Sequence, residues 1–146
     1  MKQFKGRVVA GGSFKGEAVV SRQGVNTLAT FQSSVLKKSK KVIVSDQNNP
    51  DIYKLDITGK ILCLPETIGS TTGGMVLQTV CSLNLNPAVF LFSEHIDPLA
   101  ASGIVLSRVW ENSKVIAIDQ LGADFLKAVK TGDQIEVEED GTVKVL

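Results

Sequence analysis

The chain has 146 residues, of which 43% are hydrophobic and 21% are charged, and its net charge is +1. This length predicts one domain over residues 1–146, and the near-neutral charge excludes a basic surface for nucleic acid. No run of about 18 apolar residues is present, and the N-terminus lacks the apolar segment of a signal peptide, so we expect a cytoplasmic protein that binds no membrane.

The first part of the chain predicts short strands separated by turns. Residues 6–10 and 17–21 read as two strands, and the glycine-rich segment between them reads as a hairpin turn, with a ligand loop as the alternative. Residues 25–41 are ambiguous, and their lysine-rich end is typical of a solvated face. Residues 41–46 predict a further strand, followed by a turn.

From residue 59 onward, apolar runs alternate with helical patterns. The runs KILCLP, AVFLF and KVIAI are nearly continuous, which is typical of parallel strands that are buried on both faces. Three helices are predicted, over residues 73–86, 97–110 and 122–133. In the first, the apolar stripe comprises Val76, Leu77, Val80 and Leu83.

The second of these helices has a clear start signal. Asp97 is suited to the N-cap and Pro98 to the first helical position. Gly103 indicates close packing inside this helix. Its apolar contacts are expected from Ile104, Leu106, Val109 and Trp110.

The pattern as a whole predicts an α/β fold. Its core is a parallel βαβαβ unit, and the β-rich segments at both ends add hairpins, one of them around Asp140 and Gly141. A second β layer on the parallel sheet would produce a β/β/α arrangement.

The cysteines and the histidine do not form a metal-binding pattern. Cys63 and Cys81 are far apart, and both lie in apolar segments, so we expect two buried free thiols. A single histidine, His95, excludes a multi-histidine site. We therefore predict that this chain alone binds no metal or other cofactor.

Residues 65–74, PETIGSTTGG, are the strongest candidate for a functional loop. Ser70, Thr71 and Thr72 lie between a buried strand and a helix, where ligands gather in open α/β sheets and where helix N–H groups attract anions. Gly69, Gly73 and Gly74 belong to the same candidate site because glycine lets a backbone approach a ligand closely. The alternative is that Ser70 or Thr71 only caps the helix.

His95 is a second candidate. It also follows a buried strand, so it could serve as a general base or as a phosphate carrier. The alternative is a solvated histidine without a chemical role. The acidic residues Glu94 and Asp97 flank it.

Three segments, taken in chain order, resemble the small subunit, or swivelling domain, of the aconitase X family. They are residues 6–21, residues 59–77 and residues 87–110, so the resemblance covers nearly the whole chain. The family pattern of a strand followed by Pro-x-x-x-Gly-Ser-[Ser/Thr]-x-Gly is met by Pro65, Gly69, Ser70, Thr71 and Gly73.

This resemblance implies a swivelling β/β/α domain that works as part of a hydro-lyase. The partner would be a large aconitase X subunit that carries an iron or iron–sulfur centre, in a heterodimer or higher assembly. Ser70 would act as the base in the dehydration of a small β-hydroxy acid. Gly69, Thr71, Thr72, Gly73 and Gly74 would bind the substrate carboxylate.

The expected substrate follows from one departure from the family pattern. Many members are expected to carry a basic residue before the Gly-Ser pair, and Ile68 stands there in this chain. The departure favours cis-3-hydroxy-L-proline or a related acid over mevalonate 5-phosphate, which is the alternative. Outside this family, the chain could be a phosphohistidine-type swivelling domain that uses His95, or a non-catalytic binding module.

Overall fold

The computed structural model describes residues 1–69 and 73–146. Ser70, Thr71 and Thr72 lie outside this described part. Along the described residues the elements follow in this order: β1 Lys2–Lys5, β2 Arg7–Ala10, β3 Phe14–Val20, β4 Val25–Asn26, α1 Thr27–Leu36, β5 Ile61–Leu64, β6 Thr67–Ile68, α2 Gly73–Ser82, β7 Val89–Phe92, α3 Pro98–Trp110, β8 Ile116–Asp119, α4 Ala123–Ala128, β9 Gln134–Val137 and β10 Thr142–Val145.

Eight strands form one sheet in the order β1-β10-β9-β3-β5-β7-β8-β2. The neighbours β3, β5, β7 and β8 are parallel, and all other pairs in this sheet are antiparallel. The three continuous apolar runs form β5, β7 and β8, so the predicted parallel core is confirmed. The predicted C-terminal hairpin is also confirmed, as β9 and β10.

Strand β3 belongs to both parts of the sheet. Its residues Phe14 to Glu17 pair antiparallel with β9, and its residues Ala18 to Val20 pair parallel with β5. The antiparallel part, β1-β10-β9, therefore continues directly from the parallel part through one strand.

The two faces of the parallel strands bury different cores. Leu62, Leu64, Phe90 and Phe92 point to the side of α1, α2 and α3, whereas the alternating residues on the same strands point to the other side. There they pack with Ile135, Val137 and Val143 from the antiparallel strands and with Phe125 from α4. This arrangement has the β/β/α layering that the sequence predicts.

Both cysteines are buried free thiols, as predicted. Desolvation raises the pKa of Cys63, which lies inside β5, far above its ordinary value. Burial likewise raises the pKa of Cys81 in α2, although hydrogen bonds with Ser107 and Ser113 oppose the change. Neither thiol is therefore a reactive thiolate at neutral pH.

The prediction of a hairpin between the first two strands is wrong. β2 pairs with β8 at one edge of the sheet, whereas β3 lies on the far side of β5 and β7. The glycine-rich segment is a crossing connection, and it passes close to the start of β8. A Cβ atom at Gly12 would lie 2.9 Å from the side chain of Ile116, so a larger residue would obstruct this path.

Residues 41–46 do not form the predicted strand. Val42 and Val44 are buried, but Ile43 forms only an isolated bridge with Asp56. Val42 and Val44 form backbone hydrogen bonds with residues 54–57, but that segment follows a series of turns and begins at Lys54, whose φ is +68°, so the pairing does not extend into a ladder. The apolar pattern indicated burial correctly, but pairing requires a second strand.

Other local predictions also need correction. The first predicted helix ends at Ser82, before Asn86, so Leu83 lies outside it and is 50% exposed. Of the ambiguous segment, residues 25–36 form β4 and α1, and the strand β1 was not predicted. The third predicted helix ends at Ala128, before Gly132. In α3, Ile104 is buried, but Val109 and Trp110, in its last turn, are exposed. Within the described residues, no helix has the length and apolarity required to cross a bilayer.

Helices α2 and α3 contact each other through two glycines. A Cβ atom at Gly74 would lie 2.6 Å from the carbonyl oxygen of Leu99, and one at Gly103 would collide with the carbonyl oxygen of Gly74. The close packing predicted for Gly103 is therefore present. It brings the first turn of α2 against the first turns of α3.

We expect Gly103→Ala to destabilise the fold by roughly 1–3 kcal/mol, because the added methyl group overpacks a backbone contact. Urea denaturation measures the free energy of unfolding. Ser102→Ala is the matched control, since Ser102 is exposed on the same helix and its replacement should be nearly neutral. Equal stability of the two variants would contradict the close contact.

Candidate functional site

The loop with the candidate residues leaves the carboxyl end of β5. Pro65 and Glu66 follow the strand, β6 comes next, and Gly69 is the last described residue before α2 begins at Gly73. The predicted base Ser70 and the predicted ligands Thr71 and Thr72 lie outside the described residues. The structure therefore describes both sides of this loop and leaves the three hydroxyl residues as predictions.

Strand β6 is held in place by β4. The two strands are parallel, with Val25 opposite Thr67 and Asn26 opposite Ile68, and the N–H group of Val25 donates to the carbonyl oxygen of Glu66 at 2.9 Å. Because β4 leads directly into α1, this pairing brings the start of α1 beside the loop.

Two side chains at this place cap helices. The side-chain oxygen of Asn26 accepts a hydrogen bond from the N–H group of Ala29 at 3.0 Å and so caps α1. Asp97 caps α3 by accepting from the N–H group of Ala100 at 3.0 Å, as the sequence predicts. Asp97 also accepts a hydrogen bond from the hydroxyl group of Thr67.

A cleft of about 200 Å³ lies between these elements. Its described lining comes from the starts of α1 and α3 and from the loop that precedes α2, and consists of Thr27, Thr67, Ile68, Gly69, Asp97, Leu99 and Ala100. Helix N-termini carry free N–H groups and partial positive charge. The Asp97 carboxylate lines the same cleft, and the side chains of Asn26 and Asp97 already accept from N–H groups of α1 and α3, so the described lining is polar without a net positive charge.

The three glycines of the predicted site have different surroundings. Gly69 is exposed, has a φ of +120°, and a Cβ atom there would lie 3.1 Å from the side-chain oxygen of Asn26. Its conformation therefore requires glycine. Gly73 is the first residue of α2. Gly74 lies against α3, so helix packing accounts for its missing side chain, and only its N–H group remains a candidate for ligand binding.

Asp119, at the end of β8, fixes the loop that leads to Asp97. Its carboxylate accepts from the N–H group of Ile96 at 2.8 Å and from the Arg7 guanidinium at 2.9 and 2.7 Å. Burial raises the pKa of Asp119, but the hydrogen bonds from Arg7 and Ile96 outweigh this effect and hold it below its ordinary value. The carboxylate thus stays ionised and holds the loop.

His95 belongs to the same loop but faces solvent. Its side chain is 67% exposed, its Nδ1 lies 2.8 Å from the carbonyl oxygen of Ile96, and the Asp119 carboxylate is 3.9 Å away. The neighbouring Glu94 contacts the start of the loop, where its N–H group donates to the carbonyl oxygen of Pro65 at 3.2 Å, but the His95 side chain is not among the described residues at the cleft.

Sequence reasoning missed Thr67 and Leu99, which line the cleft, and Asn26, which lies beside it. Asn26 precedes a helix and could have been recognised as an N-cap, had the ambiguous segment been assigned to α1. Thr67 and Leu99 had no local signal. The contact between Thr67 and Asp97 joins positions 30 residues apart, and only the folded chain brings them together.

The described residues do not fit a metal centre. Across residues 1–69 and 73–146, no group of three or more His, Cys, Asp or Glu side chains could hold a metal ion. The two thiols are buried in separate elements, β5 and α2, and cannot serve as an exposed ligand pair. An iron centre of the kind that the resemblance implies would need its ligands from another chain.

We expect Asp119→Asn to lower stability at neutral pH by roughly 1–2 kcal/mol, at the low end for charged hydrogen bonds because Arg7 is partly in solvent. Because the pKa of Asp119 is lower in the folded state than in the unfolded state, its ionised form stabilises the fold at pH values above the unfolded-state pKa, about 3.9. This stabilisation is lost as the pH falls through the folded-state pKa. The difference between wild type and variant should therefore shrink below about pH 4.

Urea denaturation at neutral and acidic pH measures this difference. Glu139→Gln is the control, since Glu139 is an exposed residue in the turn between β9 and β10. A difference that stays constant with pH would show that the Asp119 charge does not stabilise the fold.

The chain is similar over its whole length to known proteins. A family model described as "Aconitase X swivel domain" matches residues 3–145. The phosphomevalonate dehydratase small subunit of Thermococcus kodakarensis is 31% identical over 145 residues, which cover 99% of this chain and 96% of the relative. The protein of the same name from Methanosarcina mazei is 26% identical, with 99% and 91% covered.

Solved structures agree with these sequence matches. A crystal structure of Thermococcus kodakaraensis aconitase X in its holo-form has a TM-score of 0.83 at 27% identity, and it covers 100% of this chain and 99% of that chain. A solution NMR structure of a UPF0107 protein has a TM-score of 0.78 at 23% identity, which supports the fold alone. The resemblance inferred from the sequence is thereby confirmed, and the chain belongs to the aconitase X swivel-domain family.

Proposed function

We propose that this chain is the small subunit of a two-part hydro-lyase, and that it removes water from a β-hydroxy acid only together with a large subunit. The observation that carries the proposal is the cleft between the starts of α1 and α3. Gly69, on the edge of this cleft, is followed directly by Ser70 in the sequence. The names of the curated relatives, which are dehydratase small subunits, support the same reaction class.

In the proposed reaction, Ser70 acts as the base. The C–H bond next to the substrate carboxylate breaks, its proton goes to Oγ of Ser70, and its electron pair forms the double bond. The C–O bond breaks at the same time, and the hydroxyl takes a second proton from an acid of the large subunit and leaves as water. Serine accepts a proton only as an alkoxide, so its negative charge must be stabilised. The free N–H groups at the start of α2 are suitable donors for this purpose.

The remaining residues of the loop would orient the substrate. We assign the substrate carboxylate to Thr71, Thr72 and the N–H groups of Gly73 and Gly74, because a helix N-terminus attracts anions. Departure of the hydroxyl needs groups that another chain supplies. The site is thus half of an active site, and a large subunit would complete it.

Exposed apolar side chains around the cleft support the docking of the large subunit at this face. Ile68 and Leu99 line the cleft and are 48% and 44% exposed. Leu28 and Met75, in the first turns of α1 and α2, line an adjoining groove that is largely apolar. These four side chains come from separate elements that meet at the site, so a partner that covers the cleft would also bury them.

Two substrates have support. Mevalonate 5-phosphate is our first candidate, because the curated relatives are named after it. Among the described residues that line the cleft there is no lysine or arginine, so the charges for its phosphate would come from the large subunit. The second candidate is cis-3-hydroxy-L-proline, which has no phosphate and fits the apolar Ile68. The ratio of kcat/KM for the two acids distinguishes them.

We expect Ser70→Ala to reduce turnover by the complex with its large subunit by about 10²–10⁴-fold, because the reaction loses its base. Ser82→Ala is the control, since Ser82 is an exposed serine at the end of α2 and its loss should leave turnover unchanged. The isolated chain should have no dehydratase activity. Full turnover by Ser70→Ala would make the base assignment wrong, and turnover by the chain alone would contradict the two-part site.

We expect Leu99→Glu to weaken the complex with the large subunit at least about tenfold, because a charge would be buried at the apolar face. A glutamate in the first turn suits a helix N-terminus, so the variant should still fold. Val105→Glu is the matched control, since Val105 is also 44% exposed but lies further along α3. Binding is measured by calorimetry, and equal affinities of the two variants would contradict docking at the cleft.

A further inference from the structure

One carboxylate joins α3 to the strand that leads to the candidate base. Oδ2 of Asp97 accepts from the N–H group of Ala100 at 3.0 Å, and Oδ1 accepts from the hydroxyl group of Thr67. The N-cap of α3 is therefore also a side-chain contact with β6. Capping alone would require only one of the two oxygen atoms.

The opposite side of β6 is held by the backbone of β4. Asn26 lies opposite Ile68, and its side-chain oxygen is 3.1 Å from the position that a Cβ atom of Gly69 would occupy. β6 therefore lies between two N-cap residues, Asn26 of α1 and Asp97 of α3. Each of them fixes β6 to a helix that packs on the parallel sheet.

Strand β6 is too short to hold its position by backbone pairing alone. It has two residues, and β4, the strand beside it, also has two. A segment with so few backbone hydrogen bonds opens locally at low free-energy cost. The hydrogen bond from Thr67 to Asp97 is therefore a substantial part of what fixes Ile68 and Gly69.

We propose that Thr67 and Asp97 form a positioning pair for the catalytic loop. Ser70 follows Thr67 by three residues in the sequence, so a shift of β6 would also displace the backbone that leads to Ser70. The pair acts through the backbone of the loop and transfers no proton itself. A displacement of about 1 Å can cost a reaction up to about 10²-fold in rate. This inference rests on the proposed role of Ser70.

The test is Thr67→Val in the complex with the large subunit. Valine keeps the shape of threonine but cannot donate to Asp97. We expect kcat to fall by about 10–100-fold while KM changes less than about threefold, and Thr67→Ser to restore kcat to within about threefold of wild type. Asp97→Asn is the second variant: asparagine still caps α3, but it binds Thr67 more weakly, so kcat should fall by a smaller factor.

Thr131→Val is the matched control. The hydroxyl group of Thr131 accepts a hydrogen bond from the N–H group of Val20 in β3 at 2.9 Å, and Thr131 is not among the described residues that line the cleft. Its loss should lower stability about as much as the loss of the Thr67 hydroxyl and leave kcat unchanged. A kcat lost equally in both threonine-to-valine variants would overturn the positioning role and indicate a general loss of stability.

A second measurement separates this inference from the proposed function. Amide hydrogen exchange at Ile68 and Gly69 can be followed in the full chain without any substrate. We expect exchange there to become about tenfold faster in Thr67→Val and to stay unchanged in Thr131→Val. If Ser70→Ala abolishes turnover but Thr67→Val alters neither kcat nor exchange, the positioning pair is wrong while the base assignment stands. If Ser70→Ala is fully active but exchange responds to Thr67→Val, the base assignment is wrong and the pair still holds β6.

Discussion

The location of the candidate site depends on the parallel pairing of β3, β5, β7 and β8. Parallel strands bring all their carboxyl ends to one edge of a sheet. At this edge the N–H group of Ser21, after β3, donates to Cys63, and that of Ser93, after β7, donates to Leu64. The loop after β5 and the loop that contains Asp97 therefore meet, although they are far apart in the sequence.

The helices also determine where the site lies, because their first turns are next to it. α1 and α3 both begin beside the cleft, and close backbone contact at Gly74 and Gly103 brings the start of α2 to the same place. Burial of apolar residues on both faces of the sheet fixes these positions, and the side chains at the cleft add few buried contacts of their own. The described part of the site thus consists of helix ends and a few hydrogen bonds, supported by the buried sheet.

Features that depend on neighbouring residues in the sequence could be predicted, whereas features that depend on contacts between separate segments could not. The apolar runs of β5 and β7 predicted parallel strands because burial on both faces leaves a local pattern, and Asp97 was recognised because an N-cap is local. Residues 41–46 have the same apolar character, but their pairing partner, residues 54–57, is irregular, and no apolar pattern reveals this. The same limit applies to the hydrogen bond between Thr67 and Asp97. Of the candidate site, Gly69 lines the cleft, and its role in substrate binding remains a prediction, as do the roles of Ser70, Thr71 and Thr72.

The double pairing of β3 joins the antiparallel and the parallel parts of the sheet. Ala18 and Val20 contribute to the core on the antiparallel side, while Val19, between them, contributes to the core on the helical side. Separating the two β layers would therefore break both cores and two ladders at once. We expect a chain joined in this way to unfold as one cooperative unit, without a stage in which one β layer is lost and the other is kept.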